Sequence, residues 1–302
     1  MISSILSLYI TANLKPDLSM TEAQTISNHY ISETEKKTDQ SIYIPQKDPK
    51  MISPIISAKS SIGIDLPTGM ILYEKDIHEK RQIASLTKIM TILIILEENK
   101  LDEVVTVSAN AASTEGTKMY LKSGEKITVE NLLYGTLIHS ANDAAIALAE
   151  YNAGSIKKFV EKMNNRATLL GLDSTHYSNP AGLDDPNNYS SAHDLAKLAR
   201  HLYKQEFVQK NATTKSMTVY SVSKDQSHNL ETTNDLLGTT LFKILGLKTG
   251  TTQGAGLCFV SIAQNNQTGS TILTVVLNSP ERFKESKILI DWIFRAYTWN
   301  KI

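Results

Sequence analysis

Along the 302-residue chain the spacing of hydrophobic positions changes period twice. Ser61–Leu66 and Met70–Glu74 alternate as short strands around Pro67-Thr68-Gly69, which predicts a strand, a tight turn and a strand. From Ile89 to Leu96 nearly every residue is apolar, with no one-sided stripe. That pattern predicts a helix buried on all sides, opened by Ser85. Helical spacing resumes over Thr128–Glu150 around Leu132, Leu133, Leu137, Ile146 and Leu148. An amphipathic helix over Ser155–Leu170 stops at Gly171, and His193–Tyr203 is helical again. Between these, residues 173–191 hold Asn179-Pro180, Ala181-Gly182 and Asp185-Pro186, which is turn chemistry. From residue 215 the period shortens. Ser216–Val222, Leu257–Ala263 and Thr271–Leu277 read as strands, and Phe283–Thr298 returns to helical spacing through Leu289, Trp292, Ile293 and Tyr297.

Strands at both ends with helices between them predict an α/β (α+β) chain. Its sheet is mainly antiparallel, built from both ends of the chain and flanked by helices, with a helical subdomain inserted over about residues 86–210. Residues 15–50 are polar and aperiodic, as in a solvated linker. Order is expected to begin near Pro54, which separates residues 1–54 from one domain over 55–302.

Composition narrows the function classes. Hydrophobic residues make up 41% of the chain, enough for a large core. Lys+Arg and Asp+Glu balance at 31 each, so the total charge offers nothing to nucleic acid or to an acidic membrane. The single cysteine, Cys258, cannot form an internal disulfide and lies in an apolar run that suits a core. No Cys/His cluster has zinc spacing, so neither a metal nor a cofactor is expected. No apolar stretch reaches the roughly 18 residues of a spanning helix. Residues 2–12 have the apolar character of a leader peptide but lack the basic residues that precede one.

Candidate chemistry begins at Ser85 and Lys88. On a helix these share one face, with Cβ atoms about 5–6 Å apart. A serine hydroxyl needs a base, and a lysine serves as one only when neutral. Its pKa must then fall from about 10.4, which burial and a second nearby cation would achieve. An S-x-x-K triplet alone also describes an N-cap serine beside a snorkelling lysine. Ser140-Ala141-Asn142 could be an ordinary helix break. Lys248-Thr249-Gly250 could be a hairpin with an exposed lysine, although Gly250 would let backbone approach a ligand closely.

In this order, S-x-x-K, S-x-N and K-T-G match the signature set of penicillin-recognising serine enzymes. Asp65-Leu66-Pro67-Thr68-Gly69, Ala84–Thr91, Leu137–Ala145, Ser178–Leu183 and Tyr189–Ala196 all resemble D-alanyl-D-alanine carboxypeptidases, the low-molecular-mass penicillin-binding proteins. The resemblance covers about residues 55–299. It implies that Ser85 is the nucleophile acylated by a peptidoglycan stem peptide ending in D-Ala-D-Ala. It implies further that Lys88 activates Ser85, that Ser140 relays a proton to the leaving amine and that Asn142 orients the substrate amide. By the same resemblance Lys248 holds the site together, Thr249 contacts the terminal carboxylate, and the amides of Ser85 and Thr251 form the oxyanion hole. Arg282 matches, more loosely, an arginine that attracts the carboxylate. β-Lactams would then be inhibitors, and the protein would work outside the cytoplasm of a bacterium. Many relatives carry an added β domain and a C-terminal anchor, and neither is expected here.

Three rivals share the fold. A serine β-lactamase would need a glutamate with an asparagine four residues on. Glu161 and Asn165 have that spacing, but in a run that reads as a solvated helix face. A D,D-transpeptidase shares the acyl-enzyme and differs in its acceptor. A non-catalytic β-lactam sensor would normally carry a transmembrane segment or a signalling domain.

Overall fold

The computed structural model describes residues 43–301, so the leader-like stretch 2–12 lies outside the described residues. One compact unit comprises residues 45–298, and the described residues 43–44 and 299–301 fall in a second. Strand β1 (Tyr43–Lys47) pairs with β13 (Tyr297–Lys301). β1 lies in the stretch expected to be linker. One of its five residues is buried, so no alternation marks it in the sequence.

The sheet at the centre of the larger unit draws on both ends of the chain. Its strands are β2 (Ser60–Asp65), β3 (Ile71–Lys75), β10 (Lys243–Thr252), β11 (Gly256–Gln264) and β12 (Thr271–Ser279). They run in the order β10-β11-β12-β2-β3 with antiparallel neighbours. The predicted closure of the sheet by both ends of the chain is therefore borne out, with β12 beside β2. The β2–β3 turn is tied by Asp65, whose carboxylate accepts from Thr68 N (2.9 Å) and Thr68 Oγ1 (2.5 Å), while Gly69 takes the left-handed φ of 79°. β10 is an edge strand, which leaves one side of Lys248-Thr249-Gly250 free to face a ligand.

Helices α1 (Lys88–Glu98), α2 (Ala109–Ser113), α3 (Val129–Leu137), α4 (Asn142–Ala153), α5 (Ile156–Leu169), α6 (Ala192–Leu202) and α7 (Glu206–Asn211) fill the middle of the chain. α8 (Arg282–Ala296) packs on the sheet. α1 is buried at every position from Lys88 to Ile95, as its unbroken apolar run predicts, and it lies among α3, α4, α5 and α6. Four helix starts are fixed by side chains. Ser108, Thr128, Ser155 and Ser191 accept from backbone N–H groups three residues on at the starts of α2, α3, α5 and α6.

Three expectations need correction. Ser85 does not open α1: it lies in a 3-10 turn, Ala84–Thr87, and the α-helix starts at Lys88. Ala84 has a φ of +49°, so the backbone bends sharply before it can enter the helix. The Thr128–Glu150 pattern is two helices, α3 and α4, broken where Ser140 adopts a φ of +62°. The Ser216–Val222 strand is β8 (Ser216–Tyr220). It pairs with β9 (Ser227–Glu231) in a separate ribbon instead of joining the central sheet. The turn-rich stretch 173–191 gives only the two-residue strand β7 (Tyr189–Ser190), paired with β4 (Arg81–Gln82). The small pair β5 (Val104–Thr106) and β6 (Lys126–Thr128) completes the described elements.

Candidate active site

Three pieces distant in sequence converge at the start of α1. The 3-10 turn presents Ser85, half-buried, and one step on Lys88 enters the core with no exposed surface. Its amine lies 2.9 Å from Ser85 Oγ, 2.7 Å from Asn142 Oδ1 and 2.5 Å from the Ala181 carbonyl. The break between α3 and α4 brings Ser140 and Asn142. The edge strand β10 brings Lys248, also buried, whose amine donates to Ser140 Oγ (2.7 Å) and to the Thr249 carbonyl (3.1 Å).

The sequence explains how these pieces close up. Gly182 has a φ of +82°, and a Cβ there would lie 2.0 Å from the Ala84 carbonyl oxygen. Only glycine lets the 179–183 turn press on the 3-10 turn and deliver the Ala181 carbonyl to Lys88. Asn179 Oδ1 shapes that turn by accepting from Gly182 N at 2.7 Å. On the other side, a Cβ on Gly250 would lie 2.8 Å from the Ile83 carbonyl and 3.2 Å from Ser85 N, so β10 also rides directly on the Ser85 turn. Asn142 is fixed from behind, its Nδ2 donating to the Glu115 carbonyl at 2.7 Å.

Donor and acceptor roles sort the Lys88 contacts. Asn142 Oδ1 and the Ala181 carbonyl can only accept, so two N–H bonds of the amine are committed to them. The remaining position faces a hydroxyl, which can give a proton as well as take one. Burial, foremost, holds the Lys88 amine well below the ordinary lysine range; the Lys248 cation adds to this and Asp143 opposes it. Burial likewise pulls Lys248 down to about 7, with the Arg282 guanidinium as second cause. A neutral Lys88 therefore turns its lone pair toward Ser85 Oγ, the arrangement a general base requires.

Arg282, the first residue of α8, donates from Nη1 to the Gly250 carbonyl (2.8 Å) and also to Thr251 Oγ1. Thr249 Oγ1 lies 2.5 Å from Thr233 Oγ1. Ser85, Lys88, Ser140, Asn142, Lys248, Thr249, Gly250, Thr251 and Arg282 thus belong to one connected cluster. Glu161 and Asn165 do not join it: both are exposed on α5.

Sequence reasoning missed several members. The carbonyls of Ala181 and Glu115 act through backbone, which carries no residue signature. Asp143, fully buried, accepts from Met119 N (3.1 Å) and Leu121 N (3.0 Å), and so holds the 115–121 segment against Asn142. Thr233 comes from the β9–β10 connection, where no motif marks it.

Comparison with known proteins agrees with this geometry. The D-alanyl-D-alanine carboxypeptidase family model matches residues 46–281. The chain is 36% identical over 246 residues to D-alanyl-D-alanine carboxypeptidase DacF of Bacillus subtilis, covering 80% of this chain and 63% of the relative. It is 34% identical to a D-alanyl-D-alanine carboxypeptidase of Streptomyces sp. strain K15, covering 80% of this chain and 88% of that one. Among solved structures, the Streptomyces K15 DD-transpeptidase superposes with a TM-score of 0.75 at 31% identity, covering 81% of this chain and 99% of that one. Penicillin-binding protein 6B of Escherichia coli gives a TM-score of 0.73 at 34% identity, over 82% and 81% of the two chains. The chain spans somewhat under two thirds of the length of the first curated relatives, 63% for DacF and 66% for DacD of Escherichia coli.

Proposed function

The chain belongs to the D-alanyl-D-alanine carboxypeptidase family, and from that premise we propose that it removes the terminal D-alanine from peptidoglycan stem peptides through a Ser85 acyl-enzyme. The observation that carries the reading is the 2.9 Å contact between a buried Lys88 amine and Ser85 Oγ, with acceptor-only partners on the amine's other sides. Ser85 Oγ attacks the carbonyl of the penultimate D-alanine while its proton passes to Lys88 Nζ. The tetrahedral oxyanion is met by the amides of Ser85 and Thr251, where a single donor is worth roughly 10²–10³ in rate. Collapse breaks the C–N bond. The departing amine takes a proton through Ser140, whose hydroxyl is held by Lys248. Water then cleaves the ester. Thr249, Thr251 and Arg282 supply hydroxyl and guanidinium donors for the terminal carboxylate.

β-Lactams enter the same chemistry as acylating inhibitors, and the substrate places the work outside the cytoplasm. Among the described residues no helix is long and apolar enough to cross a membrane. A second reading, D,D-transpeptidation, is favoured by the likeness to the Streptomyces K15 DD-transpeptidase. A β-lactamase reading has less support, because Glu161 is exposed on α5. A scaffold without chemistry would have no use for a buried, uncharged lysine against a serine.

The test uses a D-Ala-D-Ala-terminated peptide with and without an amine acceptor, and intact mass after benzylpenicillin. Free D-alanine and one added drug mass, both lost in Ser85→Ala, are expected. Transfer of the acyl group to the amine in place of hydrolysis would favour the transpeptidase. An adduct that survives Ser85→Ala would overturn the nucleophile assignment.

A further inference from the structure

The segment 115–121 is pinned from beneath by the S-x-N region. Asn142 N donates to the Thr117 carbonyl at 2.7 Å, and Asn142 Nδ2 donates to the Glu115 carbonyl at 2.7 Å. The buried Asp143 carboxylate takes the amides of Met119 and Leu121. A third anchor comes from β9: the His228 ring, tied by Nε2 to Glu125 at 2.7 Å, has Nδ1 2.7 Å from the Met119 carbonyl. Met119 and Leu121 are each 3% exposed, whereas Tyr120 between them is 68% exposed.

Tyr120 also has a φ of +65°. A bulky aromatic residue rarely adopts that conformation, and it persists only where the surroundings impose it. The Lys118 ammonium sits 5.7 Å from the centre of its ring and pairs with the ring, not with a carboxylate, among the described residues. A rigid, strained loop therefore holds an exposed aromatic face beside a half-buried cation, on the segment that buttresses Asn142.

We propose that Tyr120 and Lys118 form a subsite for the side chain of the residue that precedes D-Ala-D-Ala in the acyl donor, and that the subsite favours a side chain bearing a carboxylate. This rests on the carboxypeptidase reading. There the donor's amide is held by Asn142, so the peptide on the N-terminal side of the scissile bond leaves past Asn142 and along the 115–121 segment. The ring gives the methylene stem of that side chain an apolar wall, and the ammonium pairs with its carboxylate. A lysyl side chain would bring only an ammonium, like charge against Lys118, whereas a diaminopimelyl side chain carries a carboxylate on the same carbon as its ammonium and can turn the carboxylate to Lys118.

The test compares D-alanine release from two stem pentapeptides that differ only at the third residue, meso-diaminopimelate against L-lysine. Wild type is expected to prefer the diaminopimelyl donor by about five- to ten-fold in kcat/KM, carried by KM. Lys118→Gln and Tyr120→Gly should each bring that ratio close to one, while benzylpenicillin, which lacks the third residue, acylates both variants at the wild-type rate. Glycine accepts a φ of +65° freely, so Tyr120→Gly should melt no lower than wild type, which separates a lost subsite from a damaged fold. A ratio unchanged in both variants, or a wild-type enzyme that works equally well on the two donors, overturns the subsite alone. Release of D-alanine from neither donor, with penicillin still forming its adduct on Ser85, overturns the carboxypeptidase reading and the subsite with it.

Discussion

The electrostatics of Lys88 and Lys248 can be read from a single substitution. Two buried amines share the site, and the Lys248 cation is the second cause, after burial, of the lowered Lys88 pKa. Acylation needs Lys88 neutral, so the rate falls on the acid side as Lys88 takes up a proton. Replacing Lys248 by methionine removes a neighbouring positive charge and lets the Lys88 pKa rise. The acid limb of the benzylpenicillin acylation profile should therefore move to higher pH in Lys248→Met, beyond any uniform loss from releasing Ser140. A limb that stays in place would mean that burial alone tunes Lys88. The S-x-x-K, S-x-N and K-T-G triplets make these side chains legible in the sequence, because each chemical role demands a particular residue type. The carbonyls of Ala181 and Glu115 are not legible there, since any residue supplies a carbonyl.

Two glycines separate local backbone strain from packing at the level of the turn. Gly182 and Gly154 both have left-handed φ, 82° and 73°. A Cβ at Gly154 meets nothing within 4 Å, whereas one at Gly182 strikes the backbone of Ala84. Gly154→Ala should cost about 1–2 kcal/mol, the ordinary penalty of that conformation. Gly182→Ala must also push the 179–183 turn off the Ser85 turn and carry the Ala181 carbonyl away from Lys88. It should lose more stability by urea unfolding and, unlike Gly154→Ala, lose most penicillin acylation; equal acylation by the two variants would refute this. The 173–191 stretch is legible as turns but not as part of the site. Its glycine signals a left-handed backbone without telling what that backbone presses against. The buried α1 and the strands β11 and β12 are readable because their apolar runs are long, and β2 is readable from the alternation of Ile62 and Ile64 before a Pro-Thr-Gly turn. β9 is not, since one of its two buried residues is His228 and only Leu230 is apolar.

Closure of the sheet from both ends of the chain couples the site to the stability of the whole domain. β10 comes late in the chain and α1 early, so Lys248 reaches Ser140 and Gly250 rides on the Ser85 turn only when the sheet is complete. Folding therefore buries an amine with almost no exposed surface, and that burial has a pH signature. The folded Lys248 pKa is about 7, against about 10.4 for a lysine in an unfolded chain. Between those values the unfolded chain binds more protons than the folded one, so stability from this group rises with pH. The penalty for burying the amine is absent above the unfolded pKa, grows as pH falls toward 7, and stays flat below it. One site can contribute up to about 1.4 kcal/mol per pH unit. The unfolding free energy of wild type minus that of Lys248→Met, measured in urea, should therefore rise by about 2 kcal/mol from about pH 7.5 to about pH 9.5. The sign matters as much as the size, because a Lys248 held charged by a partner would give a difference that falls with pH. A difference flat across this range would mean that the Lys248 amine titrates alike in the folded and unfolded chains, and that its burial does not tune it.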